Sequence, residues 1–182
     1  MGGKFVITEV VAMGIGIALF VVLTTIQIPL GFILNTELQL RMAILAFMSA
    51  VFGPIVGSGI GLLGHILSDA LFSGSVWWSW VFPEAVVGAG IGLFAKRFAI
   101  KEGGFINTRA IVLFNLVQVV VNAIAWIVVA PVLDILIYAE PANKVFSQGF
   151  FAWTGNVIII GILGTILAAV YSKTAGQFQE QS

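Results

Sequence analysis

The sequence predicts an all-α integral membrane protein, a bundle of six transmembrane helices with both termini in the cytoplasm. Three observations lead there. Of the 182 residues, 60% are hydrophobic and 9% are charged, and the mean hydropathy is +1.12. A soluble domain is about 25% charged, so this chain has too little polar surface to cover a water-soluble globule. The apolar residues also fall into runs near the roughly 20 residues that a spanning helix needs. Finally, the basic residues are unequally shared between alternate loops, which orients a membrane protein.

The spans follow in order, at about 5–28, 40–52, 55–72, 77–98, 110–132 and 150–171. Pro29 and Gly31 end the first, and a loop over 30–40 leads to Arg41. The second span is short, which suggests a kinked or tilted helix, and Gly53-Pro54 ends it. A small-residue turn, SGS, separates the third from the fourth. The polar loop KRFAIKEGGFINTR follows the fourth. A loop with Asp134, Tyr138, Glu140, Pro141 and Lys144 follows the fifth, and SKTAGQFQEQS ends the chain. With six spans, Lys4, Lys96, Arg97, Lys101, Arg109 and Lys173 share one side, and Arg41 and Lys144 share the other. That excess places both termini in the cytoplasm. Lys4 and the apolar run after it resemble a signal peptide, but no small-x-small cleavage site follows, so the segment reads as a retained helix. The length suits one domain, residues 1–182.

Composition also removes function classes. Formal net charge is zero, which argues against a nucleic-acid partner. Without cysteine there are neither disulfides nor thiolate metal sites. One histidine cannot hold zinc alone, so no metal is expected. The chain contains no GxxxxGK[ST] phosphate loop and no HExxH motif. It also has no GxSxG elbow. No catalytic residue is assigned, and the chain is not expected to be an enzyme. The two halves show no inverted repeat, which counts against a stand-alone secondary transporter.

The unusual residues concentrate in GHILSDALFSGSVWWSWVFPE, residues 64–84. This stretch holds the only histidine, two of the eight acids and three of the five tryptophans. Ionisable residues inside spans are costly, so each is a candidate for function. His65 and Asp69 are four apart, hence on one helical face. Glu84 lies seven residues into the fourth span, roughly 10 Å deep. On the fifth span Asn115, Gln118, Asn122 and Trp126 form a stripe at spacings of 3, 4 and 4. Trp153 and Asn156 reach the same level from the sixth. The acids lean to the outer side: Glu37, Asp69, Glu84, Asp134 and Glu140 there, against Glu9, Glu102 and Glu180. The candidate binding set is therefore Glu37, His65, Asp69, Trp77, Trp80, Glu84, Gln118, Asn122, Trp126, Trp153 and Asn156.

Each member also has a plainer role. His65 and Asp69 can pair with each other. The amides can be interhelical glue at about 0.6 kcal/mol each. Tryptophans near 77–80 suit an interfacial aromatic belt, and Trp78 is assigned to that belt. It is the agreement in depth across four helices that favours a binding site. Amides, one imidazole and carboxylates exchange hydrogen bonds, and indoles offer flat faces. Arg41 is the one basic residue near this level. The set suits a small, flat, neutral or weakly basic heterocycle with amino or hydroxyl groups. On the first span, Ala12/Gly16 and Gly14/Ala18 are overlapping small-xxx-small pairs, which let helices approach closely in lipid. They serve either internal packing or docking of a membrane partner.

One stretch, NTELQLRMAILAFMSAVFGPIVGSGIGLLGHILSDALFSGSVWWSWV, followed by EAVVGAGIGL, resembles the substrate-binding S components of energy-coupling factor (ECF) vitamin transporters. The resemblance extends over essentially the whole chain and is strongest over 35–92. Within the group it is similar to a branch linked to hydroxymethylpyrimidine or to pyridoxine-type rings. The resemblance implies a multi-pass protein of the bacterial plasma membrane that captures substrate from outside under a lid, here 30–40. It implies docking through helix one, here Ala12–Ala18, onto a transmembrane T component driven by two ATPases. ATP would be used by those partners, and no cofactor would be bound by this chain. The family's helix-one motif is AxxxA; here glycine replaces one alanine in either register. The competing reading is a self-sufficient small-solute channel or facilitator, with the fifth-span stripe lining a pore.

Overall fold

The computed structural model describes residues 7–29 and 37–179. These described residues are mostly helical. Helix α1 is Ile7–Thr24. Strands β1 (Gln27–Pro29) and β2 (Glu37–Gln39) pair antiparallel, with Gln27 opposite Gln39 and Pro29 opposite Glu37. The first loop therefore has a hairpin neck, which apolar periodicity alone does not reveal. Residues 30–36, the middle of the expected lid, lie outside the described residues.

Helix α2 (Arg41–Phe52) is as short as expected. Gly53 stops it at φ +91°, a left-handed conformation that glycine adopts without a Cβ penalty. Pro54 then opens α3 (Pro54–Ser68), where its missing N–H costs no helical hydrogen bond. A π turn, Asp69–Ser73, extends α3. Helix α4 is Trp78–Gly92, and a separate turn, α5 (Ala95–Phe98), follows it. The expected fourth span of 77–98 is thus two helices.

The larger difference lies further on. Helix α6 (Thr108–Ala123) continues through a π turn (Ile124–Val129) into α7 (Ala130–Tyr138), 31 helical residues in all. After three residues α8 (Ala142–Ile159) begins. It runs through a third π turn (Ile160–Gly164) into α9 (Thr165–Gln179). The expected loop around Asp134, Tyr138 and Lys144 is therefore mostly helix. Its polar residues find partners within the fold, so polarity does not end the helices there.

Among the described residues four helical stretches are long and apolar enough to cross a membrane: Ile7–Thr24, Pro54–Ser73, Thr108–Tyr138 and Ala142–Gln177. The bundle's exposed faces are apolar, and buried polar residues lie among its apolar core. Val112, Leu116, Val120, Ile124 and Val128 are exposed, while Gln118 and Asn122 are buried. That arrangement suits a hydrocarbon solvent, in which polar groups must be satisfied internally. Helices α3 and α4 pack backbone to backbone: a Cβ on Gly88 would strike the Gly57 carbonyl, and one on Gly61 would strike the Glu84 carbonyl. This contact brings the polar residues of α3 and α4 together.

Candidate binding site

At one end of the bundle three helices, α2, α3 with its π turn, and α4, bring a line of buried and half-buried charges together. Glu84 on α4 is fully buried. Its Oε1 accepts from Arg41 Nη2 at 3.0 Å. Its Oε2 lies 2.9 Å from His65 Nδ1; this contact is close but poorly aligned for a hydrogen bond. His65 Nε2 lies 3.5 Å from Asp69 Oδ1. Charges of opposite sign thus alternate along Arg41, Glu84, His65 and Asp69 when the imidazole is protonated. Arg41 also donates to Gln39 Oε1 at 2.6 Å and to Thr24 Oγ1 at 3.1 Å. Its guanidinium sits 4.7 Å from the centre of the Phe20 ring. A buried cation with this many internal partners is held by the fold, and little of its charge is left for a ligand.

A second carboxylate organises the tryptophans. Asp134 accepts from Trp77 Nε1 at 2.8 Å, from Trp80 Nε1 at 3.0 Å and from Ser79 Oγ. The Trp77 backbone N–H donates to Asp69 Oδ2 at 2.9 Å. Tyr138, one turn beyond Asp134, stacks on Trp77 with ring centres 4.1 Å apart. Trp80 stands edge-on to Trp126 at 5.3 Å. Both indoles are fixed at one edge by a carboxylate, so their faces are set before anything binds. Replacing Asp134 with leucine is expected to leave two half-buried indole N–H groups without their acceptor, at up to about 1 kcal/mol each. Tryptophan fluorescence and acrylamide quenching check this: emission should shift and quenching should rise in Asp134→Leu and change less in Asp134→Asn. An unaltered spectrum in Asp134→Leu would refute the tether.

These groups border a half-open cavity of about 550 Å³. Its wall includes His65, Asp69, Trp77, Trp80, Asp134 and Lys144. The size falls in the range of small-molecule pockets. Four sequence-derived candidates therefore line it directly: His65, Asp69, Trp77 and Trp80. Glu84 lies just behind the wall and joins Arg41 to His65. The side chain of Glu37 lies outside the described residues.

The remaining candidates do not line the cavity. Gln118 and Asn122 are buried on α6, Trp126 in its π turn and Asn156 on α8. Gln118 Nε2 donates to the Val157 carbonyl at 3.3 Å, and Trp153 Nε1 donates to the Val119 carbonyl at 3.2 Å. Asn115 donates to Thr165 Oγ1 at 3.1 Å. These bonds tie α6 to α8 and α9, as interhelical glue does. Gln118 Oε1, Asn122 Oδ1 and Trp126 Nε1 are buried without hydrogen-bond partners. Trp78 is exposed, as belt placement requires.

Asp134 and Lys144 are among the site residues that the sequence reading misses. Asp134 belongs to the site, although the sequence places it in a loop. An acid set within VLDILIY is its only signal. Lys144 also lines the cavity, so Arg41 is not the one basic residue at this level; the continued helix α8 carries Lys144 there. It pairs with Glu140 at 2.7 Å.

On α1 the two small-residue pairs face opposite ways. Ala12 and Gly16 are buried, and a Cβ on Gly16 would strike Ile60. Gly14 and Ala18 are exposed, with nothing within 4 Å of a Cβ on Gly14.

A family model described as the S component of the ECF-type riboflavin transporter matches residues 4–173. The chain belongs to this family. As an S component it is a membrane-embedded, substrate-binding subunit of an ECF transporter, not an enzyme, in a family that works with T-component and ATPase partners. This S component is similar to several curated UPF0397 proteins. It is 53% identical to one from Exiguobacterium sp. over 175 residues, 96% of this chain and 94% of the relative. A Clostridium perfringens relative is 46% identical over 172 residues, 94% of this chain and 92% of the relative. One from Enterococcus faecalis is 44% identical over 175 residues, 96% of this chain and 94% of the relative. No solved structure matches the S component.

Proposed function

We propose that this S component captures a small, flat, vitamin-like heterocycle at the outer face of the bacterial plasma membrane. The occupant is of the hydroxymethylpyrimidine or pyridoxine class. In this reading one domain, residues 1–182, crosses the membrane six times with both termini in the cytoplasm. The loop over 30–40, with Glu37, covers the bound ligand. The loaded protein docks on the T component, and two ATPases supply the energy. This chain binds no cofactor itself; the ATP is theirs.

The observation that carries the reading is the cavity, with two indoles tethered at their N–H edges beside His65 and Asp69. Flat faces with polar groups at the rim suit a ring that stacks and hydrogen-bonds at its edge. Arg41 is already engaged by Glu84, Gln39 and Thr24, so a strongly anionic ligand gains little there. A second reading of the occupant is riboflavin, which the family model names. The cavity volume favours it, since about 550 Å³ exceeds what one six-membered ring fills. Native mass spectrometry of the purified protein, followed by titration with hydroxymethylpyrimidine, pyridoxine and riboflavin, tests both. Saturable binding of a single-ring compound in preference to riboflavin is expected. Riboflavin alone binding would transfer the assignment to the second reading, and binding of none would overturn the site.

Docking has its own test. Gly14→Leu and Ala18→Leu should reduce co-purification with the T component while ligand binding and thermal stability stay as in the wild type. Gly16→Leu should instead lower stability, because its side chain meets Ile60. Undiminished complex yield in Gly14→Leu and Ala18→Leu would remove this face from the docking surface.

A further inference from the structure

At the other end of α6 lies a second concavity, of about 330 Å³, lined by Arg97, Ala99, Gly104, Arg109, Ala110 and Leu113 among others. Local structure shapes it. Ala99 turns into the left-handed region at φ +50°, and the Gly104 N–H closes the turn on the Ala99 carbonyl at 2.8 Å. Asn107 then caps α6 by accepting from the Arg109 N–H at 2.9 Å. Arg97 and Arg109 therefore flank a floor of Ala110 and Leu113. Arg97 lies 5.3 Å from the centre of the Phe94 ring. Neither guanidinium is paired with a carboxylate among the described residues.

The depth of this pocket can be measured along the helix. Arg109 and Asp134 are 25 positions apart on the continuous stretch Thr108–Tyr138. At 1.5 Å per residue that is about 38 Å, close to the roughly 40–45 Å of a bilayer with its headgroups. Asp134 marks the ligand cavity, so Arg109 stands at the opposite headgroup layer. From the pocket an exposed apolar line, Val112, Leu116 and Val120, continues along α6 towards the membrane centre.

We propose that this pocket holds the phosphate headgroup of an anionic phospholipid, with an acyl chain lying along Val112, Leu116 and Val120. Two guanidiniums match phosphate oxygens in geometry and charge. A zwitterionic headgroup would bring its own cation against Arg97 and Arg109, so the site selects net negative lipids.

The test uses the full chain in detergent and native mass spectrometry. Phosphatidylglycerol and phosphatidylcholine are supplied together, and inorganic phosphate is supplied in a separate arm. Wild-type protein should retain one phosphatidylglycerol in preference to phosphatidylcholine by about tenfold, as charge-assisted bonds imply. The Arg97→Gln/Arg109→Gln variant should bind the two lipids alike. Both side chains are exposed, so its thermal midpoint should match the wild type. Equal binding of both lipids by the wild type, or a preference kept by the variant, would overturn the proposal. Displacement of phosphatidylglycerol by inorganic phosphate would also overturn it, since the site would then read a free anion.

Discussion

Glu84→Ala is expected to destabilise the protein by about 3–5 kcal/mol, the cost of leaving a buried charge without its partner. Glu84 is fully buried between Arg41 and His65. Without it, Arg41 keeps only the neutral acceptors Gln39 and Thr24. His65 then keeps only Asp69. The cavity wall loosens as a result, and ligand affinity should fall about tenfold or more. Thermal unfolding in detergent and a titration with the co-purified ligand measure the two effects. A double variant separates the pair from its site. Arg41→Met/Glu84→Met removes both charges, and buried pairs replaced by apolar residues are often no less stable. It should therefore recover most of the lost stability while binding stays weak. A Glu84→Ala protein that melts with the wild type would dismiss the charged line as a structural feature.

Gly88→Leu should have an effect of similar size through sterics alone. Its Cβ would fall on the Gly57 carbonyl, and the next nearest atoms are also backbone. A side-chain neighbour could rotate away, but a helix backbone cannot. Overpacking costs about 1–3 kcal/mol or more, and this site belongs at the upper end because α3 and α4 must separate. Separation also draws Glu84, one turn earlier, away from His65. Folded yield and melting temperature should both drop. Gly14→Ala is the control: its Cβ meets nothing within 4 Å, and alanine is favoured over glycine in a helix by about 0.5–1 kcal/mol. If Gly88→Leu and Gly14→Ala behave alike, α3 and α4 do not meet in this way.

The all-helical membrane class was legible because it follows from composition and run length, which need no tertiary information. The α2 break was legible for a local reason, since Gly53-Pro54 stops a helix wherever it occurs. His65, Asp69 and Glu84 were legible because charges among apolar residues are conspicuous. Arg41 was different. It begins a helix beside a polar loop, where headgroup contact and burial look the same in sequence, and only its meeting with Glu84 decides between them. The hairpin at 27–29 and 37–39 is a long-range pairing of two three-residue strands, too short to leave a periodic signal. The amides of α6 share a helical face as their spacing requires. That spacing could not tell whether the face meets a cavity or the carbonyls of α8.

Asp134 was hidden by geometry, and the π turn at 124–129 explains how. In an unbroken α-helix each residue advances about 100°. Asn122 and Asp134 are 12 positions apart, so a regular helix would set them about 120° out of phase. A π turn spends one extra residue per turn, which returns Asp134 to within about 20° of Asn122. The bulge thus acts as a phase shifter, turning an acid that a helical wheel would send elsewhere onto the face that meets Trp77, Ser79 and Trp80. Straightening residues 124–129 into regular α-helix with every residue kept would leave each side chain of the site in the sequence and still swing the tryptophans' anchor a third of a turn away.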